Sequence, residues 1–106
     1  MELKDNDILQ AIRDKVWTIA PNGSQALLFG SRARGDARQD SDWDILILLD
    51  KERILLSDID EVSYPLRELG WEIGADINPV LYTIKDWKQN SFTPFYKNVT
   101  EEGISL

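Results

Sequence analysis

Two aspartates one residue apart, Asp42 and Asp44, stand at the start of an apolar run, Ile45-Leu46-Ile47-Leu48-Leu49. In a strand, side chains two positions apart point to the same face. The carboxylates therefore share a face, while Trp43 and Ile45 take the other. Neighbouring carboxylates repel each other and lose hydration unless a cation lies between them. A hard divalent cation with oxygen ligands, Mg²⁺ above all, resolves that conflict. Upstream, Gly30-Ser31 closes a second apolar run, Ala26-Leu27-Leu28-Phe29, so the chain leaves a buried strand and turns sharply. A short helix from Ser31 to about Ala37 would turn its free N–H groups toward that bend, which suits an anion. A phosphate cradle beside a metal-binding aspartate pair is equipment for chemistry on a nucleoside triphosphate.

Other readings of the same residues fail. Gly30 and Gly35 have the glycine spacing of a P-loop, but Asp36 stands where the phosphate-binding lysine is needed. Asp40, Asp42 and Asp44 begin like a calcium-binding loop, yet Ile45 replaces the required glycine and a strand follows. Ser57-Asp58-Ile59-Asp60 repeats the Ser-Asp-x-Asp pattern without an upstream Gly-Ser and leads into a helical pattern. Positions i and i+2 do not share a helix face, so capping explains it better.

The composition narrows the chemistry further. At 106 residues the chain suits a single domain spanning 1–106, with 42% apolar residues. It has no cysteine and no histidine, which removes thiolate and imidazole metal sites and the commonest general base. The lack of cysteine fits a reducing cytoplasm. No apolar run reaches the ~18 residues of a membrane span, and the N-terminus lacks a secretory pattern. A net charge of −7 disfavours nucleic acid as a partner and favours a small nucleotide or a protein.

The elements that must position these groups can be read in order. Asp5, Asn6 or Asp7 is expected to cap a helix to about Ala20, with Ile8, Leu9, Ile12, Val16 and Ile19 as its apolar stripe. Pro21-Asn22-Gly23 stops it. Gln25–Phe29 and Asp42–Leu49 read as strands. Asp58 to about Ile73 reads as a helix with a stripe of Ile59, Val62, Leu66, Leu69 and Ile73. Pro65 inside it requires either a kink or a later start. Asp76–Tyr82 is a third strand, and Pro79 within it favours an edge position or a bulge. Thr83 caps a short helix through Gln89, and Thr93 with Pro94 opens a last helix that Gly103 ends. Phe95 and Val99 share one face of that helix and are expected to pack on the core.

Gly30-Ser31-Arg32-Ala33-Arg34-Gly35 with Ser41-Asp42-Trp43-Asp44-Ile45 resembles the signature of the DNA polymerase β-like nucleotidyltransferase superfamily. Within that superfamily it is most similar to the minimal nucleotidyltransferase (MntA-like) group of prokaryotes. The likeness extends over most of the chain, including the closing Asn98-Val99-x-x-Glu102-Gly103-Ile104 tail. The resemblance implies an α/β (α+β) nucleotidyltransferase fold, a small mixed β-sheet with helices packed on one face. It also implies roles. Gly30 and Ser31 would hold the β- and γ-phosphates of ATP, and Asp42 and Asp44 would bind two Mg²⁺ ions. Asp76, on a later strand, would complete the second metal's shell or act as base on the attacking hydroxyl. Asn78 lies on the same strand face and is the nearest supporting residue.

Arg32, Arg34 and Arg38 form the dense positive cluster of an acidic chain. They either balance nearby aspartates or contact phosphate, Arg32 and Arg34 foremost because they lie nearest Ser31. Trp17, Trp43, Trp71 and Trp87 read as core or interface rather than base-stacking platforms. Relatives of the minimal group imply a HEPN-family partner, with AMP placed on a tyrosine of a partner toxin and this chain acting as the antitoxin. Two alternatives stand beside that expectation. One is a binding module that neutralises or scaffolds a partner by contact. The other is a transferase acting on a small molecule such as an aminoglycoside, for which an oligomer interface would have to supply the pocket.

Overall fold

The computed structural model describes residues 3–106. The chain runs α1 (Asp5–Ile19), β1 (Gln25–Phe29), α2 (Ser31–Arg34), β2 (Trp43–Leu49) and α3 (Leu56–Asp58). A π-helical turn (Ile59–Ser63) leads into α4 (Tyr64–Ile73), then β3 (Ile77–Thr83), α5 (Ile84–Gln89), α6 (Pro94–Glu102) and β4 (Ile104–Ser105). Among the described residues the strands form a four-stranded mixed sheet in the order β3-β2-β1-β4. β2 runs antiparallel to β1 and parallel to β3.

β2 is apolar on both sides because both sides are covered. Trp43, Ile45, Ile47 and Leu49 face a core built with Ile8, Ile12 and Val16 of α1 and Leu66 of α4. Leu46 and Leu48 face a second cluster with Trp87 of α5 and Val99 of α6. The two long helices thus lie on one face as expected, and the two short C-terminal helices add cover to part of the other. Phe95, expected to pack on the core, does so from its margin: it is 37% exposed and meets Phe29 and Trp87 edge-to-face at ring distances of 5.4 and 5.6 Å.

Local departures have local causes. The residue that caps α1 is Lys4, without a side-chain bond, so Asp5 and Asp7 occupy the first turn instead, where carboxylates suit the helix dipole. Pro65 is accommodated by the later start: α4 begins at Tyr64, one residue before it, and the turn ahead is a separate one. The preceding turn widens so that the Tyr64 N–H reaches the Ile59 carbonyl five residues back, and Pro65 falls in the first turn of α4, where a missing N–H costs nothing. The wider turn also leaves Ile59 off the buried stripe, 46% exposed. Pro79 is buried on β3, at one edge of the four strands. Thr83 and Thr93 cap α5 and α6 through their hydroxyls, accepting from the Asp86 and Tyr96 N–H groups. Asp58 serves the fold: its buried carboxylate accepts the Leu55 N–H at 2.7 Å and the Lys51 ammonium at 2.9 Å.

Candidate active site

The sheet register assembles the sequence-predicted carboxylates at one end of β2 and β3. Phe29 lies opposite Asp44, so the bend after β1 abuts the start of β2. Gly30 occupies that bend at φ 75°, a backbone conformation that glycine adopts without strain. A Cβ at Gly30 would overlap Asp44 Oδ2. The absent side chain is the space the carboxylate uses. On its other side, Asp44 pairs with Asn78 across β2 and β3, and Asn78 Nδ2 donates to Asp44 Oδ1 at 3.0 Å. Asp44 is half-buried and held from both flanks.

Asp42 precedes β2 and is exposed, as is Asp76 before β3. The Trp43 N–H donates to the Asp76 carbonyl at 2.7 Å, which ties the two loops together. Asp42, Asp76 and Asn78 then line one cavity of about 230 Å³. Its remaining wall includes Arg67 and Trp71 of α4, which the sequence pattern did not place at the site. Trp71 is 66% exposed. Its signal was present: it falls off the Val62-Leu66-Leu69-Ile73 stripe, and a tryptophan on the solvent side of a helix is unusual.

The arginines divide. Arg32 is already engaged. Its side chain is only 6% exposed, donates to the Ser41 and Gln39 carbonyls at 3.0 Å each, and pairs with Asp5 at 3.3 Å. Its guanidinium lies 4.6 Å above the Trp43 ring, on the α1 side of the sheet. The expected phosphate contact gives way to a structural one, because the loop carbonyls and the indole already occupy the guanidinium. Arg34 is exposed and bonds to Asp36 at 3.2 Å and Glu102 at 3.3 Å. These contacts, Asp36 first, hold its proton more firmly than usual. Ser31 opens α2 directly after Gly30.

The donor set around Asp44 is oxygen only, which suits a hard divalent cation and no soft one. Among the described residues no three acidic side chains stand close enough together to enclose a metal ion as they are. A cation there would draw Asp42 and Asp44 on one face, with Asp76 beside them.

The family described as "Polymerase beta, Nucleotidyltransferase" matches residues 15–106. The chain belongs to this family. It is a nucleotidyltransferase. A relative in Methanocaldococcus jannaschii, named "Putative protein adenylyltransferase MJ0604", is 36% identical over 80 residues, covering 76% of this chain and 74% of the relative. The fold is shared with a crystal structure of a toxin-antitoxin with AMP-PNP, at a TM-score of 0.58 and 20% identity over 97% of this chain and 72% of that one. A mutant of the toxin-antitoxin MntA-HpeT matches at a TM-score of 0.55 and 22% identity, over 99% and 72% of the two chains. The nucleotidyltransferase has no helix among its described residues long and apolar enough to cross a membrane.

Proposed function

We propose that this nucleotidyltransferase moves AMP from ATP onto a hydroxyl of a partner protein, a tyrosine of a HEPN-type toxin, and acts as that toxin's antitoxin. The observation that carries the chemistry is the carboxylate Asp44 held between Gly30 and Asn78, with Asp42 and Asp76 alongside. The partner reading leans on the relative named for protein adenylylation and on the toxin-antitoxin neighbours. In a third such neighbour two aspartates two positions apart are changed to glutamate, the spacing of Asp42 and Asp44 here. A cysteine-free chain suits the reducing cytoplasm such a pair would share.

In this reading Gly30 and Ser31 hold the β- and γ-phosphates through the bend and the Ser31 hydroxyl. Asp42 and Asp44 would hold the two Mg²⁺ ions, which would neutralise charge on the phosphates. Asp76 takes the proton of the acceptor hydroxyl as its oxygen bonds to the α-phosphorus and pyrophosphate leaves. Asn78 keeps Asp44 aimed. Arg34, near Ser31 and exposed, is the arginine free to meet the leaving pyrophosphate once its surface pairs open.

The test is α-labelled ATP with Mg²⁺ and the product of the neighbouring gene, wild type against Asp42→Asn. Label on the partner with wild type alone supports the proposal. Rescue from the toxin by Asp42→Asn as efficient as by wild type would instead favour neutralisation by contact.

A further inference from the structure

In-line displacement fixes where the acceptor must stand. Nucleophile and leaving group lie on opposite sides of the reacting phosphorus. On the proposed function, which this inference deepens, pyrophosphate leaves toward Gly30-Ser31 at the end of β1. The strand order then runs through Asp44 on β2 to Asn78 on β3, with Asp76 just ahead of that strand. The acceptor therefore comes from beyond β3. There the structure has a cavity of about 230 Å³, walled by the carboxylates on one side and by Arg67 and Trp71 on the other.

The exposed face of α4 that supplies Arg67 and Trp71 to that wall has the make-up of a protein-binding site. Trp71 is 66% exposed and Tyr64 is 50% exposed, and their rings meet edge-to-face at 5.8 Å, so two large aromatic side chains are held in place in solvent. With Arg67 between them on the same helix, these are the three residue types that dominate interface energetics. Trp71 and Asp76 also border a second hollow of about 780 Å³, whose rim carries Asp40 and Glu72. Its one arginine, Arg32, is already bonded to Asp5 and to backbone carbonyls. The hollow beside the cavity is thus net acidic.

We propose that the Arg67–Trp71 cavity is the acceptor subsite, and that it takes an aromatic hydroxyl residue in a basic segment of a partner protein. The phenol ring packs on Trp71 with its oxygen toward Asp76, and flanking basic side chains lie over Asp40 and Glu72. Transfer then forms the phenol O–P bond, breaks the bond from the α-phosphorus to pyrophosphate, and passes the phenol proton to Asp76.

The test separates binding from transfer. The indole N–H signal of Trp71, assigned with Trp71→Phe, is followed in the full chain as peptides are added at low salt. One peptide carries tyrosine between arginines, and its counterpart carries tyrosine between glutamates. Mg-ATP is titrated separately. The expected result is a Trp71 shift with the arginine-flanked peptide, about tenfold weaker binding of the glutamate-flanked one, and a similar weakening in Glu72→Lys. No shift, equal binding of both peptides, or a Trp71 shift produced by Mg-ATP in place of the peptide would overturn the proposal. A bound peptide that never receives label would leave the subsite standing and count against the transferase reading instead.

Discussion

Asn78 Nδ2 donates to Asp44 Oδ1 at 3.0 Å, across neighbouring parallel strands and between residues in direct register. The amide has no charge to contribute. What it supplies is direction: with Oδ1 occupied, Oδ2 is left on the Gly30 side, where the phosphates are proposed to lie. Groups that orient a metal-binding side chain typically matter about 10- to 100-fold. Asn78→Ala is expected to lower the AMP transfer rate by about that factor and to raise the Mg²⁺ concentration needed for half-maximal rate. The thermal midpoint should hardly move, since Asn78 is only half-buried. A Mg²⁺ dependence identical to wild type would refute this role.

Gly30→Ala tests the other flank. The substitution meets two penalties: φ 75° strains any side chain, and its Cβ would displace Asp44 Oδ2. Gly35 is the matched control, at φ 85° with nothing within 4 Å of an added Cβ. Both alanines should lose about 1 kcal/mol or somewhat more to backbone strain in urea unfolding. Only Gly30→Ala should also abolish transfer. If Gly35→Ala were as inactive, strain in the loop and not room for Asp44 would be the cause.

Arg32 and Arg34 should separate by what they damage. Removing the Arg32 side chain orphans two backbone carbonyls, breaks a pair with Asp5 and uncovers Trp43. Arg32→Ala is expected to cost about 2–3 kcal/mol of stability. Arg34 is exposed, so Arg34→Ala should leave the urea midpoint unchanged while raising the KM for ATP. The opposite pattern, a stable Arg32→Ala with a raised KM, would return Arg32 to the phosphates.

What was legible in the sequence was what depends on near neighbours. The opposition of Asp44 to Trp43 along β2 and the caps at Thr83 and Thr93 follow from spacings of one to three residues. Asn78 was found the same way. The fate of Arg32 was not legible, because one of its partners, Asp5, is 27 residues away and its indole platform appears only when β2 packs on α1. Nor was the role of Trp71, since α4 must be docked before its outer face can be seen to wall the cavity beside Asp76. The cover on the second sheet face required knowing that Trp87 and Val99 converge on Leu46 and Leu48. β4 is two residues long, too short for any alternation to announce it.

Asp58 gives a prediction about stability rather than catalysis. Burial pushes its carboxyl up, but the Lys51 ammonium and the Leu55 N–H outweigh that and hold it below the usual carboxylate range. A carboxylate with a lowered folded pKa stabilises the fold above its unfolded value, about 3.9, and loses that contribution as pH falls through the folded value. Asp58→Asn keeps an acceptor for the Leu55 N–H and removes the charge facing Lys51, which is 33% exposed and can regain water. The variant should therefore be about 1–3 kcal/mol less stable than wild type at pH 7. That gap should close as pH falls below the unfolded value and on through the lower folded one, where the wild-type carboxylate takes up a proton. Urea unfolding of both proteins, followed from about pH 7 downward past the unfolded value, measures it. A gap that stayed constant across that range would mean that the pairing with Lys51 contributes nothing, and that the amide simply packs worse there than the carboxylate of Asp58.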